Sequence, residues 1–167
     1  MSYADYSTYA EIYTDGIPNA DYDRYAWEAD RVIDRETTGV DGVRKLGVAM
    51  PTDDYALACV QRCACAVADA LYRIDLAQAQ AAAMSGTVTR DDGTITSAVV
   101  ASASSGSESI SYATGNNAVI ASAYTAAAKD LAEKRRLLRG LVTDYLSGVE
   151  DANGVNLLYM GVYPCVP

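Results

Sequence analysis

Histidine is missing from this sequence, and so is phenylalanine. Without an imidazole, Ser-His-Asp and Cys-His catalysis and every His-ligated metal centre are excluded. No apolar run approaches the roughly 20 residues that a membrane-spanning helix needs. The opening MSYADYSTYAEIY has neither a basic region nor a continuous apolar stretch, so no secretory signal is expected. Lysine and arginine together number 13 against 22 acids, a net charge of −9, which disfavours sequence-independent binding to nucleic acid. Four cysteines are present, at 59, 63, 65 and 165, and no pair has the CxxC spacing of a zinc knuckle. A reduced, cytoplasmic setting without metal is the expectation.

The aromatic content is unusual: 13 tyrosines and a single tryptophan. Tyrosine packs with its ring while its hydroxyl keeps a polar partner, which suits half-buried and interfacial positions. Half of the 167 residues are apolar and 21% are charged, as in a globular chain of one domain. The charge is uneven: residues 1–50 sum to −5 and residues 116–167 to zero.

Tyr3, Tyr6, Tyr9 and Tyr13 share one turn-like face before Gly16 and Pro18, predicting an ordered arm with at most a short helix. A helix is predicted over 20–37, capped by Asn19 or Asp21. Its buried stripe is Tyr22, Tyr25, Ala26, Ala29, Val32 and Ile33, and Gly39 terminates it. Asp30 and Asp34 read as a solvated face paired with Arg31 and Arg35. After a glycine-containing connection, a second helix is predicted from Pro51 to Met84. Its bulky stripe is Leu57, Val60, Ala64, Val67, Leu71 and Ile74, with Arg62, Asp69 and Arg73 opposite. A flank of small residues, Cys59, Cys63, Ala66 and Ala70, suits close contact with a neighbour.

Residues 85–115 hold 13 Ser or Thr. Alternating segments on either side of Arg90-Asp91-Asp92-Gly93 predict a hairpin, with Val88, Ile95 and Val99 on its strands. A loop of this length suggests an arm ordered against a neighbouring subunit, with a solvated loop as the alternative. A third helix is predicted from Asn116 or Asn117 to Ser147 along Ile120, Tyr124, Ala127, Leu131, Leu138, Val142 and Tyr145, ended by Gly148. The run Lys134-Arg135-Arg136-Leu137-Leu138-Arg139 suggests a phosphate site at first sight. Asp130 with Lys134 and Glu133 with Arg136 favour a solvated or inter-subunit ion-pair role, Arg135 and Arg139 included. The end, Leu157-Leu158-Tyr159-Met160 and Val162-Tyr163, reads as extended and apolar. No phosphate-binding glycine loop and no nucleophile with a nearby base are present, so neither an enzyme nor a cofactor is expected.

The architecture predicted is mainly α: two long helices and a shorter N-terminal one over residues 1–149, a protruding hairpin-like loop at 85–115, and an extended C-terminal arm at 150–167.

This layout resembles the head–tail connector (adaptor, head-completion) proteins of long-tailed bacteriophages. The tyrosine-rich opening is followed by A-x-x-x-I-D-x-x-T, carried by Ala29, Ile33, Asp34 and Thr37, with Tyr25 one turn earlier. The segment Ser105-Gly106-Ser107-Glu108-Ser109-Ile110-Ser111-Tyr112 is similar to that family's S-E-S-I-G-x-Y-S-V-S-Y but lacks the G-x-Y insert. The ending LLYMGV is similar to its L-L-Y-R-G-V, with Met160 in place of arginine. The resemblance implies a structural virion protein made in the bacterial cytoplasm. It would form a ring of twelve copies in the neck, bind the portal and the stopper or tail-completion protein, and let DNA pass along an acidic lumen. Glu108, Ile110 and Tyr112 would join the inter-subunit loop. The apolar ending would bind the portal, so deleting residues 156–167 would leave the fold intact. Two other classes stay open: a more strand-rich neck component, and a small helical cytoplasmic regulator.

Overall fold

The computed structural model describes residues 2–89, 95–99, 102–105, 108–111 and 123–163, and they are mainly helical. No described helix is long and apolar enough to cross a membrane.

The N-terminal arm carries a helix, α1 (Tyr6–Ile12). Asp5 starts it, its carboxylate accepting the Thr8 amide at 2.9 Å and the Thr8 hydroxyl at 2.8 Å. The arm is part of the core, with Tyr9 fully buried.

Helix α2 (Asn19–Thr37) buries the predicted stripe, with Thr37 added. Its start differs from expectation. Pro18 occupies the cap position and neither Asn19 nor Asp21 caps with its side chain. The fixed φ of proline already directs the chain into the first turn, where the Pro18 carbonyl accepts from Asp21 N at 2.9 Å. Within the connection to the next long helix lies a short one, α3 (Lys45–Val48).

Helix α4 (Asp54–Met84) is the axis of the fold, packed against α1, α2 and both later helices. It begins three residues after Pro51, because Asp53 caps it: the carboxylate accepts Ala56 N and the carbonyl Leu57 N, both at 2.9 Å. Every residue from Cys63 to Leu71 is buried. A helix enclosed on all sides has no solvated face there, so Asp69, expected opposite the apolar stripe in water, lies inside the protein. Of the bulky stripe, Leu57 alone is only half-buried.

From the end of α4, β1 (Ser85–Thr89) pairs antiparallel with β2 (Ile95–Val99), and β3 (Ser102–Ser105) with β4 (Glu108–Ser111). Val88, Ile95, Val99, Glu108 and Ile110 lie on these strands. The expected turn Arg90-Asp91-Asp92-Gly93, Tyr112, the expected caps Asn116 and Asn117, Ile120 and Cys165 lie outside the described residues.

The expected third long helix is two helices, α5 (Ala123–Lys129) and α6 (Leu131–Leu146). They meet at Asp130, whose backbone is extended and whose carboxylate accepts Ala132 N at 2.7 Å. Asp130 caps α6 rather than pairing with Lys134. The interruption turns Leu131 outward, 62% exposed, although the periodicity placed it in the stripe. Leu138 and Val142 of the stripe are buried against α4 and α2, joined by Leu146, while the expected Tyr145 is half-buried. Gly148, at φ +78°, closes α6 in the left-handed conformation that glycine adopts without strain.

The segment after α6 is not a free arm. Val149 and Leu157 belong to the main core, and Leu157 N donates to Val149 O at 2.9 Å. Ala49, Val155 and Tyr163 form a second small cluster with Val43. The boundary expected at 149/150 therefore divides nothing: residues 150–163 fold back onto the helices.

Candidate interaction surfaces

The C-terminal segment is fastened by a buried lysine. Lys45 is fully buried, and its Nζ donates to the carbonyls of Asn156 at 3.3 Å, Leu157 at 2.9 Å and Tyr159. Burial lowers the pKa of its ammonium, with Asp151 and Asp41 opposing that shift. Val40 N donates to Met160 O at 3.1 Å and Tyr163 N to Asp41 Oδ2 at 2.6 Å. Gly39, expected only to stop a helix, makes this approach possible: a Cβ there would stand 2.6 Å from the Gly161 carbonyl oxygen.

The apolar ending is accordingly divided. Leu157 and Tyr163 are buried and Leu158 is half-buried, so these three serve the protein's own interior. Tyr159, Met160 and Val162 stay exposed, Val162 at 65%. Deleting residues 156–167 would strip Lys45 of its acceptors and Leu157 from the core, so the expected neutrality of that deletion is corrected.

The small-residue flank of α4 is also corrected. Cys63, Ala66 and Ala70 are buried within the chain and Cys59 is half-buried, leaving no open face for a neighbour. Small side chains meet a need inside the protomer, where α1, α2, α5 and α6 crowd around one helix. Burial pushes the Cys63 thiol up to about 12 and the Cys65 thiol up to about 11, so both are protonated, unreactive core groups at neutral pH.

Asp30 and Asp34 do not pair with Arg31 and Arg35. They receive the N-terminus: Tyr3 N donates to Asp30 Oδ1 at 3.3 Å, the Tyr3 hydroxyl donates to Asp34, and Arg44 stands 3.6 Å from Asp34. Desolvation, with a smaller contribution from the Asp34 charge, raises the Asp30 carboxyl to about 6, while the Tyr3 amide pulls the other way. The folded state thus holds this proton more tightly than the unfolded chain, whose carboxyl titrates near 3.8. Stability falls as pH rises through the window from about 4 to 6. Asp30→Asn keeps the acceptor for Tyr3 and removes the charge. It is expected to raise stability at pH 8 by about 1 kcal/mol, discounted because the group is only half-buried, and to flatten the pH dependence. Urea unfolding at pH 4.5 and 8 checks this; an unchanged slope with pH would refute it.

The remaining surfaces are charged. Arg35, Arg135, Arg136 and Arg139 surround the carboxylate of Glu36, which pairs with Arg35 at 2.9 Å and Arg139 at 3.4 Å. Arg136 also pairs with Glu133 at 3.7 Å, as the spacing predicts. The cationic run therefore reaches across to α2 within the chain. Beside it, α2 and α6 border a cleft of about 480 Å³ lined by Trp27, Glu28, Arg31, Arg35, Leu131, Lys134 and Arg135 among others. Trp27 is 60% exposed with the Arg31 guanidinium 4.8 Å from its ring. Sequence reasoning passed over this residue. The signal was there: the sole tryptophan lies between the stripe positions of α2, among charged neighbours, where nothing inside the protomer needs it.

At the start of α4, Thr52, Asp53, Tyr55, Glu150 and Asp151 line a second cleft, with Tyr55 76% exposed. No protein-family model matches the chain, and neither the curated proteins nor the solved structures offer a match.

Proposed function

We propose that the chain is a structural subunit of the bacteriophage neck, forming a ring beneath the capsid portal that extends the DNA channel and docks the stopper or tail. In this reading it is not an enzyme. The observation that carries it is the distribution of exposed apolar side chains. Trp27 with Leu131, Tyr55 near the start of α4, and Met160 with Val162 stand on separate segments. Trp27, Tyr55 and Met160 are of the side-chain types enriched at protein interfaces, and their presence on three exposed segments suits a subunit with several protein neighbours. The helical content favours a connector over a strand-rich stopper. The segment 85–115 is proposed as the arm laid against a neighbouring copy, and the exposed residues Tyr159, Met160 and Val162 as the part that meets the portal. The ring's acidic excess would face the DNA, so that it slides without binding.

Electron cryo-microscopy of the particle neck tests this. A ring of this chain between portal and tail is expected. A neck fully accounted for by other chains would overturn the proposal.

A further inference from the structure

We infer that the chain associates head to tail with copies of itself, the α2–α6 cleft of one copy receiving the acidic end of α4 from the next. The inference rests on the ring reading for its biological setting, while the contact belongs to the isolated chain.

The first half of the contact is cationic and aromatic. Trp27, Arg31, Arg35, Leu131, Lys134 and Arg135 line one cleft, with Glu28 the one acid in its lining against four cations. Among the described residues neither Lys134 nor Arg135 has an ion-pair partner, and Glu36 neutralises only part of the neighbouring arginines. An exposed tryptophan beside arginines is the composition of an interface anchor. On a chain with net charge −9, gathering cations in one place leaves the rest of the residues with a larger acidic excess.

The second half is that surface. Asp53, Asp54, Tyr55 and Glu150 are all exposed, and no basic residue lines the cleft beside them. The two surfaces lie apart: Leu71, in the first cleft, is 17 positions along α4 from Asp54, about 25 Å at the helical rise. Each is complementary to the other and repels its own kind. Joined head to tail, the cations of one copy meet the acids of the next and each end copy keeps one surface free, so the contact repeats into a ring or filament, whereas a two-fold contact would use both pairs at once and stop at a dimer. Phosphate of DNA could satisfy the cations alone, but it would leave the acidic end and the exposed Tyr55 without a role. A second copy satisfies both.

Because Trp27 is the only tryptophan, its emission reports this cleft without labelling. Full-length protein is followed by sedimentation velocity and Trp27 fluorescence at rising concentration, at about 0.05 M and 0.5 M salt. At low salt the sedimentation coefficient is expected to rise together with a blue shift, and high salt to reverse both. The variants Lys134→Glu/Arg135→Glu and Asp54→Lys/Glu150→Lys are each expected to weaken self-association about 100-fold. Their equimolar mixture restores it, because reversed cleft meets reversed end. That recovery cannot come from misfolded protein, and circular dichroism of each variant checks folding separately. Wild-type protein that stays monomeric at low salt, or that stops at a dimer at rising concentration, would overturn the inference. So would variants that associate like wild type, or a mixture that does not recover. A single-stranded oligonucleotide that shifts Trp27 emission while the chain stays monomeric would assign the cleft to nucleic acid instead. A chain that self-associates in this way but is missing from the neck keeps the contact and loses the connector reading. A neck ring built through other contacts does the reverse.

Discussion

Tyr9→Ala is expected to destabilise the fold by about 4 kcal/mol, and Tyr9→Phe by about 2 kcal/mol. Tyr9 is only 1% exposed and sits where three elements meet. Its ring stacks on Tyr13 at 5.0 Å and tilts against Tyr22 at 5.1 Å, with Tyr6 at 6.2 Å. Truncation to alanine removes this apolar surface and leaves a cavity that the rigid α4 cannot close. The hydroxyl contributes separately. It donates to Asp69 Oδ1 at 2.9 Å and accepts from Ile17 N at 2.8 Å, so it ties the arm, the turn before α2 and the central helix together. Phenylalanine leaves the Ile17 amide without its partner and takes one donor from a buried carboxylate. Asp69 keeps Arg73, whose Nε lies 2.6 Å away, so the loss is partial. Against a total stability of about 5–15 kcal/mol, the alanine variant loses a large share of its margin. Guanidinium unfolding measures both, with circular dichroism at 222 nm as the probe. A loss below about 1.5 kcal/mol for the alanine variant would mean that the tyrosine cluster is peripheral. A cycle of Tyr9→Phe with Asp69→Asn isolates the hydroxyl–carboxylate coupling, expected at about 1 kcal/mol.

Two groups of features separate what the sequence shows from what it hides. The α2 stripe follows from apolar periodicity, because burial against one neighbour leaves a 3.6-residue trace, and the end of α4 at Met84 follows from the alanine-rich run after Ile74. Where a helix is enclosed from all sides, as α4 is from Cys63 to Leu71, the trace marks only the bulky stripe, and Asp69 on another face gives no sign of its burial. The interruption at Asp130 is hidden for a different reason. Aspartate neither breaks a helix like proline nor ends it like glycine, and its capping role appears only once the backbone has turned. Candidate surfaces behaved similarly. Arg135 and Arg139 stand out as a cationic run and lie on the surface. Cys63, Ala66 and Ala70 look like an interface because close packing demands small side chains equally within and between subunits. Trp27 and Lys45 each occupy the environment opposite to the usual one for their type, which no propensity foretells.

Lys45→Met is the second large effect, expected to cost about 3 kcal/mol and to release the C-terminal segment. Methionine fills the volume of the lysine stem but donates nothing. The carbonyls of Asn156, Leu157 and Tyr159 then lose a common partner in a place closed to water. Two outcomes compete. The segment can stay docked with its acceptors unsatisfied, or it can lift off, rehydrate them and forfeit the burial of Leu157 and Tyr163. The second limits the loss to the docking energy of residues 150–163, which makes local opening the expected result. Amide exchange distinguishes them. The Leu157 and Tyr159 amides, bonded to Val149 O and Asn156 O, are expected to exchange about 30-fold faster or more, while the middle of α4 follows only the global loss. Equal acceleration throughout would show that Lys45 supports the whole core rather than a clamp. No acceleration would show that the apolar contacts of Leu157 hold the segment alone. The charge explains why a lysine stands there at all. A single ammonium supplies three donors to three convergent carbonyls, and Asp41 and Asp151 offset part of the desolvation that lowers its pKa. Neutral side chains of similar length carry at most two donors, so the clamp requires the buried charge that the sequence disguises as a surface residue.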